Sequence, residues 1–376
     1  MNTASSDTYS RLASWFMRKT ATSGVRRIGP FPAALSTDIG MQRDENQDRV
    51  AIARGRDSSG QQYILAALSD GIGGMKEGAA CAAATLASLF SAFFELNRSE
   101  RSPELRLQDA VRAANQAVHE KLGAKGGATL SAFLVTGNGP AWFLNVGDSR
   151  IYSIAGGLLN QLTVDDTIAG QLGHKVDADI GSNLLQFIGM GSQLEAKAVE
   201  LATDESTAVL LTSDGIHYLD PNWLGRILSN AADPGVALRR LTETAKWCGG
   251  HDNASAALLV PHRSINELFS NGDAEAYEIW DPYGELQLLI SRPRLQQGPS
   301  ASQKIEAPAP HTKDSKIENP SRQSPPRPKV SSKTKRKRPP RKEKKPEQMT
   351  ADVSTKGNTD KEKLPQLKID FPHKAQ

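Results

Sequence analysis

Short apolar runs recur along the first 290 residues, set off by glycine, aspartate and proline. Residues 63–68 (Tyr-Ile-Leu-Ala-Ala-Leu), 142–147, 208–213 and 256–260, with Val50-Ala51-Ile52, are too short and too β-rich for helices and read as strands. Residues 128–135 and 141–146 read as a strand pair joined through Gly137-Asn138-Gly139-Pro140, and 150–154 as a further strand turning at Gly156-Gly157. Helical periodicity appears at 77–97 and again at 105–122, where Leu107, Val111, Ala114 and Val118 form one stripe; 223–230 and 234–247 follow the same period. Residues 9–18 predict a short amphipathic helix, either a flexible leader or a helix packed on the body, and too short to favour a membrane surface or a partner. Residues 276–290 predict a hairpin around Asp281-Pro282-Tyr283-Gly284, serving as an added sheet edge or as an interaction site. Alternating strand and helix blocks predict an α+β fold with two packed sheets and helices outside. Periodicity does not say which strands pair.

The polar residues that interrupt this pattern carry the chemistry. Strand-like runs lead into Asp70, Asp148 and Asp214, and others follow Asp48 and Asp252. Each Asp-Gly step taken alone is ordinary turn punctuation. Five aspartates at strand ends can converge when the strands share a sandwich, and hard divalent cations take such all-oxygen clusters. Zinc would call for His or Cys, and His251, beside Asp252 in an extended segment, points elsewhere.

Charge divides the chain. Residues 293–376 hold 21 Lys and Arg against 9 Asp and Glu, a net +12, which leaves −8 of the total +4 for the rest. That tail is rich in Pro, Ser, Lys and Gln and poor in apolar residues, so it reads as disordered. Its densest basic stretch, 333–342, would suit an acidic partner or nucleic acid, or simply a solvated tail; without aromatics, base stacking is not indicated. Two cysteines, Cys81 and Cys248, form no pairing pattern, which fits a reducing compartment. No run reads as the ~18 apolar residues of a membrane span and no long secretory stretch opens the chain, so the expected location is cytoplasmic. The expected organisation is a leader (1–32), a main domain (33–262), a hairpin-like extension (263–292) and the basic tail.

Six short motifs stand in order: Arg43-Asp44-Glu45-Asn46-Gln47-Asp48, Asp70-Gly71-Ile72-Gly73-Gly74, Gly127-Ala128-Thr129-Leu130, Gly147-Asp148-Ser149-Arg150, Ser213-Asp214-Gly215 and Asp252-Asn253-Ala254-Ser255. Over about residues 35–262 the chain resembles the metal-dependent Ser/Thr protein phosphatases, the PPM or type-2C family. The resemblance implies a four-layer αββα sandwich, two central antiparallel sheets flanked by helices. It implies two Mn²⁺ or Mg²⁺ ions, one held by Asp48, Asp70 and the Gly71 carbonyl, the other by Asp70, Asp214 and Asp252. Asp148 would join Asp214 at a third, weaker metal. Hydrolysis of phosphoserine or phosphothreonine by a water bridging the two ions would follow, with Arg43 clamping the substrate phosphate. Read from the residues alone, Arg43 is a surface ion pair with Asp44 or Glu45. Asn253 is expected to fix the loop around Asp252. Phosphorylated proteins, and a Ser/Thr kinase acting with them, are the implied partners.

The chain departs from the family at three places. Ile72 stands where some members have a histidine proposed as general acid, Gln47 where a glutamate is frequent, and Asp166 where a histidine is frequent before a mobile flap, here residues 168–190. Gln47 and Ile72 keep a second function class open, a non-catalytic module that senses a phosphoprotein.

Overall fold

The computed structural model describes residues 3–57, 59–72, 77–96, 101–122, 126–137, 140–172, 178–261, 264 and 276–289. The chain divides into two units near residue 296, and all described residues belong to the first. The basic tail expected at 293–376 lies outside the described residues.

The strands among the described residues, in chain order, are β1 (Ser23–Ile28), β2 (Ala33–Asp38), β3 (Asp48–Arg56), β4 (Gln62–Asp70), β5 (Leu130–Thr136), β6 (Ala141–Val146), β7 (Arg150–Ala155), β8 (Leu158–Gln161), β9 (Val199–Leu201), β10 (Ala208–Thr212), β11 (Ala254–Leu259), β12 (Ala276–Asp281) and β13 (Gly284–Leu289). The helices are α1 (Thr3–Phe16), α2 (Gly78–Leu96), α3 (Pro103–Leu122), α4 (Ile168–Leu172), α5 (Ala178–Gly181), α6 (Asp214–His217), α7 (Pro221–Ser229) and α8 (Pro234–Trp247). One sheet runs β1-β2-β11-β10-β7-β8 and the other β13-β12-β3-β4-β5-β6-β9. The ladders are antiparallel throughout.

Three apolar clusters define four layers. Within β4, alternate residues face opposite sides: Leu65 and Ala67 pack with Phe90 of α2 and Val111 of α3, whereas Ile64, Ala66 and Leu68 meet Leu35, Val209 and Leu211 of the facing sheet. Behind that second sheet, Ala34, Leu210 and Leu258 pack on Leu224, Leu238 and Leu241 of α7 and α8. The fold is an αββα sandwich. The stripe Leu107, Val111, Ala114 and Val118 is buried, and so is Cys81.

α2 is long and apolar enough to cross a membrane by composition, a span that the sequence reading had not marked, but 78% of its window is buried. Its alanines and phenylalanines pack under α1, α3 and the sheet, as the central helix of a packed layer.

The segment ahead of residue 33, expected as a leader, supplies structure to the body. Leu12 and Phe16 of α1 are buried in the α2 layer, and β1 pairs with β2. At the other end, β12 pairs with β3, so the 276–289 hairpin extends the sheet as its edge, with Asp281 opposite Gly284 at the turn.

Candidate active site

The strand register sets out the site. Asp48 opens β3 and Asp70 closes β4, and the two are direct partners in the antiparallel ladder. In the facing sheet, Asp214 follows β10 and Asp252 precedes β11, its antiparallel neighbour. Asp148 sits in the loop from β6 to β7, which crosses between the sheets. That loop turns through Gly147 at φ +98°, where an added Cβ would lie 2.8 Å from Thr129 Cγ2.

A cavity of 590 Å³ opens at this end of the sandwich, lined by Asp70, Asp148, Asp214 and Asp252 together with Arg43, Gln47 and Gly71. Its other wall is Ile72 and, from the segment expected as a flap, Asn183, Leu184 and Phe187. Asp48, the ladder partner of Asp70, is 3% exposed and is not among the lining residues. Ser213 Oγ donates to Asp48 Oδ2 at 2.8 Å, a bond that spans the two sheets. The Asp70 amide donates to Thr129 Oγ1 at 3.0 Å. Neither Ser213 nor Thr129 was assigned a role from sequence, although both lie within the quoted motifs.

The carboxylates load one another. Burial, then the charges of Asp252, Asp148 and Asp48, push Asp214 up to about 7. Burial raises Asp48 to about 6, against a hydrogen bond from Ser213 and with Asp252 adding to the rise. Asp70 is raised well above the usual carboxylate range by loss of water and then by the charges of Asp48, Asp214, Asp148 and Asp252. Asp148 stands at about 6, mainly through burial. Asp48 Oδ1 and Asp214 Oδ1 are buried with no hydrogen-bond partner. Orphaned, mutually repelling carboxylate oxygens are the donor set a hard divalent cation requires. Among the described residues, no three Asp, Glu, His or Cys groups already form a cage for an ion.

At Asp252 a protein cation is in place. Arg43 Nη2 donates to Asp252 Oδ2 at 2.5 Å. The pairing of Arg43 with Asp44 or Glu45, read from local sequence, is not what forms. Asn253 has the role expected of it: Oδ1 accepts from the Gln47 amide at 2.8 Å, and Nδ2 donates to the carbonyls of Ile39 and Glu45 at 2.9 and 3.1 Å. This ties the strand end carrying Asp252 to the loop carrying Arg43. His251 turns to Gln42, with Nδ1 2.8 Å from Gln42 Nε2. Gly71 lines the cavity, and its lack of a side chain has a steric cause, since a Cβ there would run into the Gly78 carbonyl. Asp166 accepts from the Gly147 amide at 3.1 Å and from Gln186 at 3.3 Å, so it fastens the Asp148 loop to the far wall of the cavity.

The family model for protein phosphatase 2C matches residues 42–258, more than half the chain. The chain belongs to the protein phosphatase 2C family. Serine/threonine protein phosphatase PstP of Mycobacterium tuberculosis is 31% identical over 242 residues, 60% of this chain and 44% of PstP, so the chain spans less than half the length of that relative. Protein phosphatase PhpP of Streptococcus pneumoniae is 29% identical over 253 residues, 62% of this chain and 97% of PhpP. Among solved structures, the PPM Ser-Thr phosphatase MsPP of Mycobacterium smegmatis in complex with cacodylate is 30% identical, with a TM-score of 0.51, covering 60% of this chain and 96% of that one. The matched span contains all five strand-end aspartates. The family match does not reach α1, β1 or the β12–β13 hairpin, which lie outside residues 42–258.

Proposed function

We propose that this chain is a metal-dependent protein phosphatase acting on phosphoserine and phosphothreonine. The observation that carries the reading is the meeting of four strand-end aspartates around one cavity, with Asp48 the direct ladder partner of Asp70 and with orphaned oxygens on Asp48 and Asp214. Asp48, Asp70 and the Gly71 carbonyl would hold one ion, and Asp70, Asp214 and Asp252 a second; Asp148 with Asp214 would serve a weaker third. Mn²⁺ or Mg²⁺ suits these oxygen donors. When bound, the ions supply a nucleophile at neutral pH and offset charge on the phosphoryl oxygens. The Mycobacterium smegmatis relative was solved in complex with cacodylate, an oxyanion shaped like phosphate, which is in keeping with a phosphate-directed reading.

The chain's own residues do the rest. Ser213 and Thr129 fix the Asp48 side chain and the Asp70 backbone. Arg43 clamps the substrate phosphate once it leaves Asp252, because its guanidinium fork matches two phosphoryl oxygens. Ile72 brings no proton to the cavity. Leu184 and Phe187 face the substrate across from the carboxylates, where they select among the side chains flanking the phosphorylated residue.

The test is phosphate release from a phosphothreonine peptide after chelation and stepwise return of Mn²⁺. Release should require the ion and disappear in Asp70→Asn. Activity that survives chelation or this substitution overturns the reading; phosphopeptide binding without turnover at any Mn²⁺ concentration supports the non-catalytic alternative. We further place the protein in the cytoplasm, in keeping with two free cysteines, acting on phosphorylated proteins alongside a Ser/Thr kinase. Residues 333–342 would contact an acidic partner or nucleic acid. Deleting 293–376 should then abolish a salt-sensitive interaction, and unchanged binding would remove the assignment.

A further inference from the structure

The end of α1 and the β12–β13 turn, both outside the family match, meet beside Asp48. α1 ends at Phe16, and the Phe16 carbonyl accepts from Arg49 Nε at 2.6 Å. The same guanidinium donates from Nη1 to the carbonyls of Asn46 at 2.8 Å and Asp48 at 2.7 Å. One side chain therefore fastens the end of α1 to the backbone that carries Asp48. Asn46 in turn caps the same turn, its Oδ1 accepting from the Asp48 amide at 3.0 Å.

The C-terminal hairpin locks the other side of this segment. Asp281 holds Arg18 through contacts of 2.6 and 2.8 Å. Arg18 lies 3.6 Å over the Trp15 ring and donates to the Trp15 carbonyl at 2.7 Å. Tyr283 donates its hydroxyl to the Ala21 carbonyl at 2.8 Å. Between these parts lies a 370 Å³ cavity whose lining includes Arg18, Asn46, Asp48, Arg49, Asp281 and Tyr283. A Cβ on Gly284 would lie 2.8 Å from Trp15 Cη2, so the turn and the helix end are in close contact.

Asp48 is anchored at one oxygen by Ser213 while its other oxygen has no partner. Ser213 thus holds the Asp48 side chain at one oxygen, and Arg49 holds the backbone from which that side chain springs. We propose that α1 and the 281–284 turn form a brace, joined through Arg49, that positions Asp48 and so sets the affinity of the site for divalent cations. The inference rests on the metal reading of the site. Arg49 is a positioning residue in it: it touches neither substrate nor ion.

Groups that orient metal ligands from behind change affinity about 10- to 100-fold when removed. Mn²⁺ binding to the full chain, followed by electron paramagnetic resonance of the free ion, reads this without turnover. Arg49→Met should weaken Mn²⁺ binding about 10-fold or more, and Arg49→Lys should recover part of the loss. Asp281→Asn, which loosens only the remote end of the brace, should weaken it by a smaller factor, about 2- to 5-fold. Melting curves in chelator report folding separately. Variants that fold and bind Mn²⁺ like the wild type overturn the proposal whatever their loss of stability, since a purely structural role moves only the melting curve. If Arg49→Met does not fold, Asp281→Asn decides alone. A wild-type chain that binds no better than Asp70→Asn refutes the metal reading itself, and the brace with it.

Discussion

Replacing Asp214 with Asn should stabilise the metal-free protein while removing its response to Mn²⁺. Asp214 stands at about 7 through burial and the charges of Asp252, Asp148 and Asp48, and its Oδ1 has no partner. Ionising a group raised from 3.8 to about 7 costs the fold up to about 4 kcal/mol. Proton sharing among the neighbouring carboxylates and entry of water reduce this to about 1–2 kcal/mol. The sign follows from linkage. A carboxylate raised in the folded state contributes stability below its unfolded pKa of 3.8 and loses it as pH climbs through about 7. Asp214→Asn and wild type should therefore converge as pH falls to about 4, diverge progressively as pH rises, and reach their full separation above about pH 7. The variant should then be higher by about 2–8 °C, at about 2–4 °C per kcal/mol for a domain of this size. Subtracting the wild-type curve cancels oppositely titrating groups such as His217, which burial lowers to about 3. Adding Mn²⁺ should reverse the order, because binding stabilises the wild type in proportion to affinity. The assay is differential scanning calorimetry in chelator and in Mn²⁺ across pH 4–9. A variant less stable than wild type in chelator at pH 8 refutes the idea that these carboxylates are held together against their own repulsion.

Arg43→Ala should lower kcat/KM for a phosphopeptide by about 10- to 100-fold, mainly through KM, because the clamp on the phosphate is lost; steady-state kinetics at saturating Mn²⁺ checks this. Ser213→Ala removes the donor to Asp48 Oδ2 and the acceptor of the Ser255 amide, and should destabilise the fold by about 1–3 kcal/mol in urea titrations. Leu12→Ala empties a fully buried position in α1 and should cost about 2–5 kcal/mol; a cost near zero in the same titration would mean that α1 is not part of the packed body.

The strand-end aspartates were legible because an apolar run halted by Asp-Gly is a local signal, and repetition in order turned weak signals into a pattern. β1 and β2 were not, because Ser23–Ile28 and Ala33–Asp38 mix small, polar and charged residues without alternation. Every residue of β2 is buried, and its burial is produced by the second sheet and α8 rather than by its own sequence. α1 showed its amphipathic face, but what that face meets is α2, which no local pattern specifies. Contacts between sequence-distant side chains were the least readable. Arg43 sits beside Asp44 and Glu45, yet its partner is Asp252, 209 positions away. The Ser213–Asp48 bond spans 165 positions. Such pairs are products of the closed sandwich, and periodicity carries no record of them.

The most direct test of the central claim is anomalous scattering from crystals of the protein soaked in Mn²⁺. The account predicts Mn²⁺ peaks among Asp48, Asp70, Asp214 and Asp252, with Arg43 released from Asp252. Crystals that bind no Mn²⁺ there, with the Arg43–Asp252 pair intact, would contradict it.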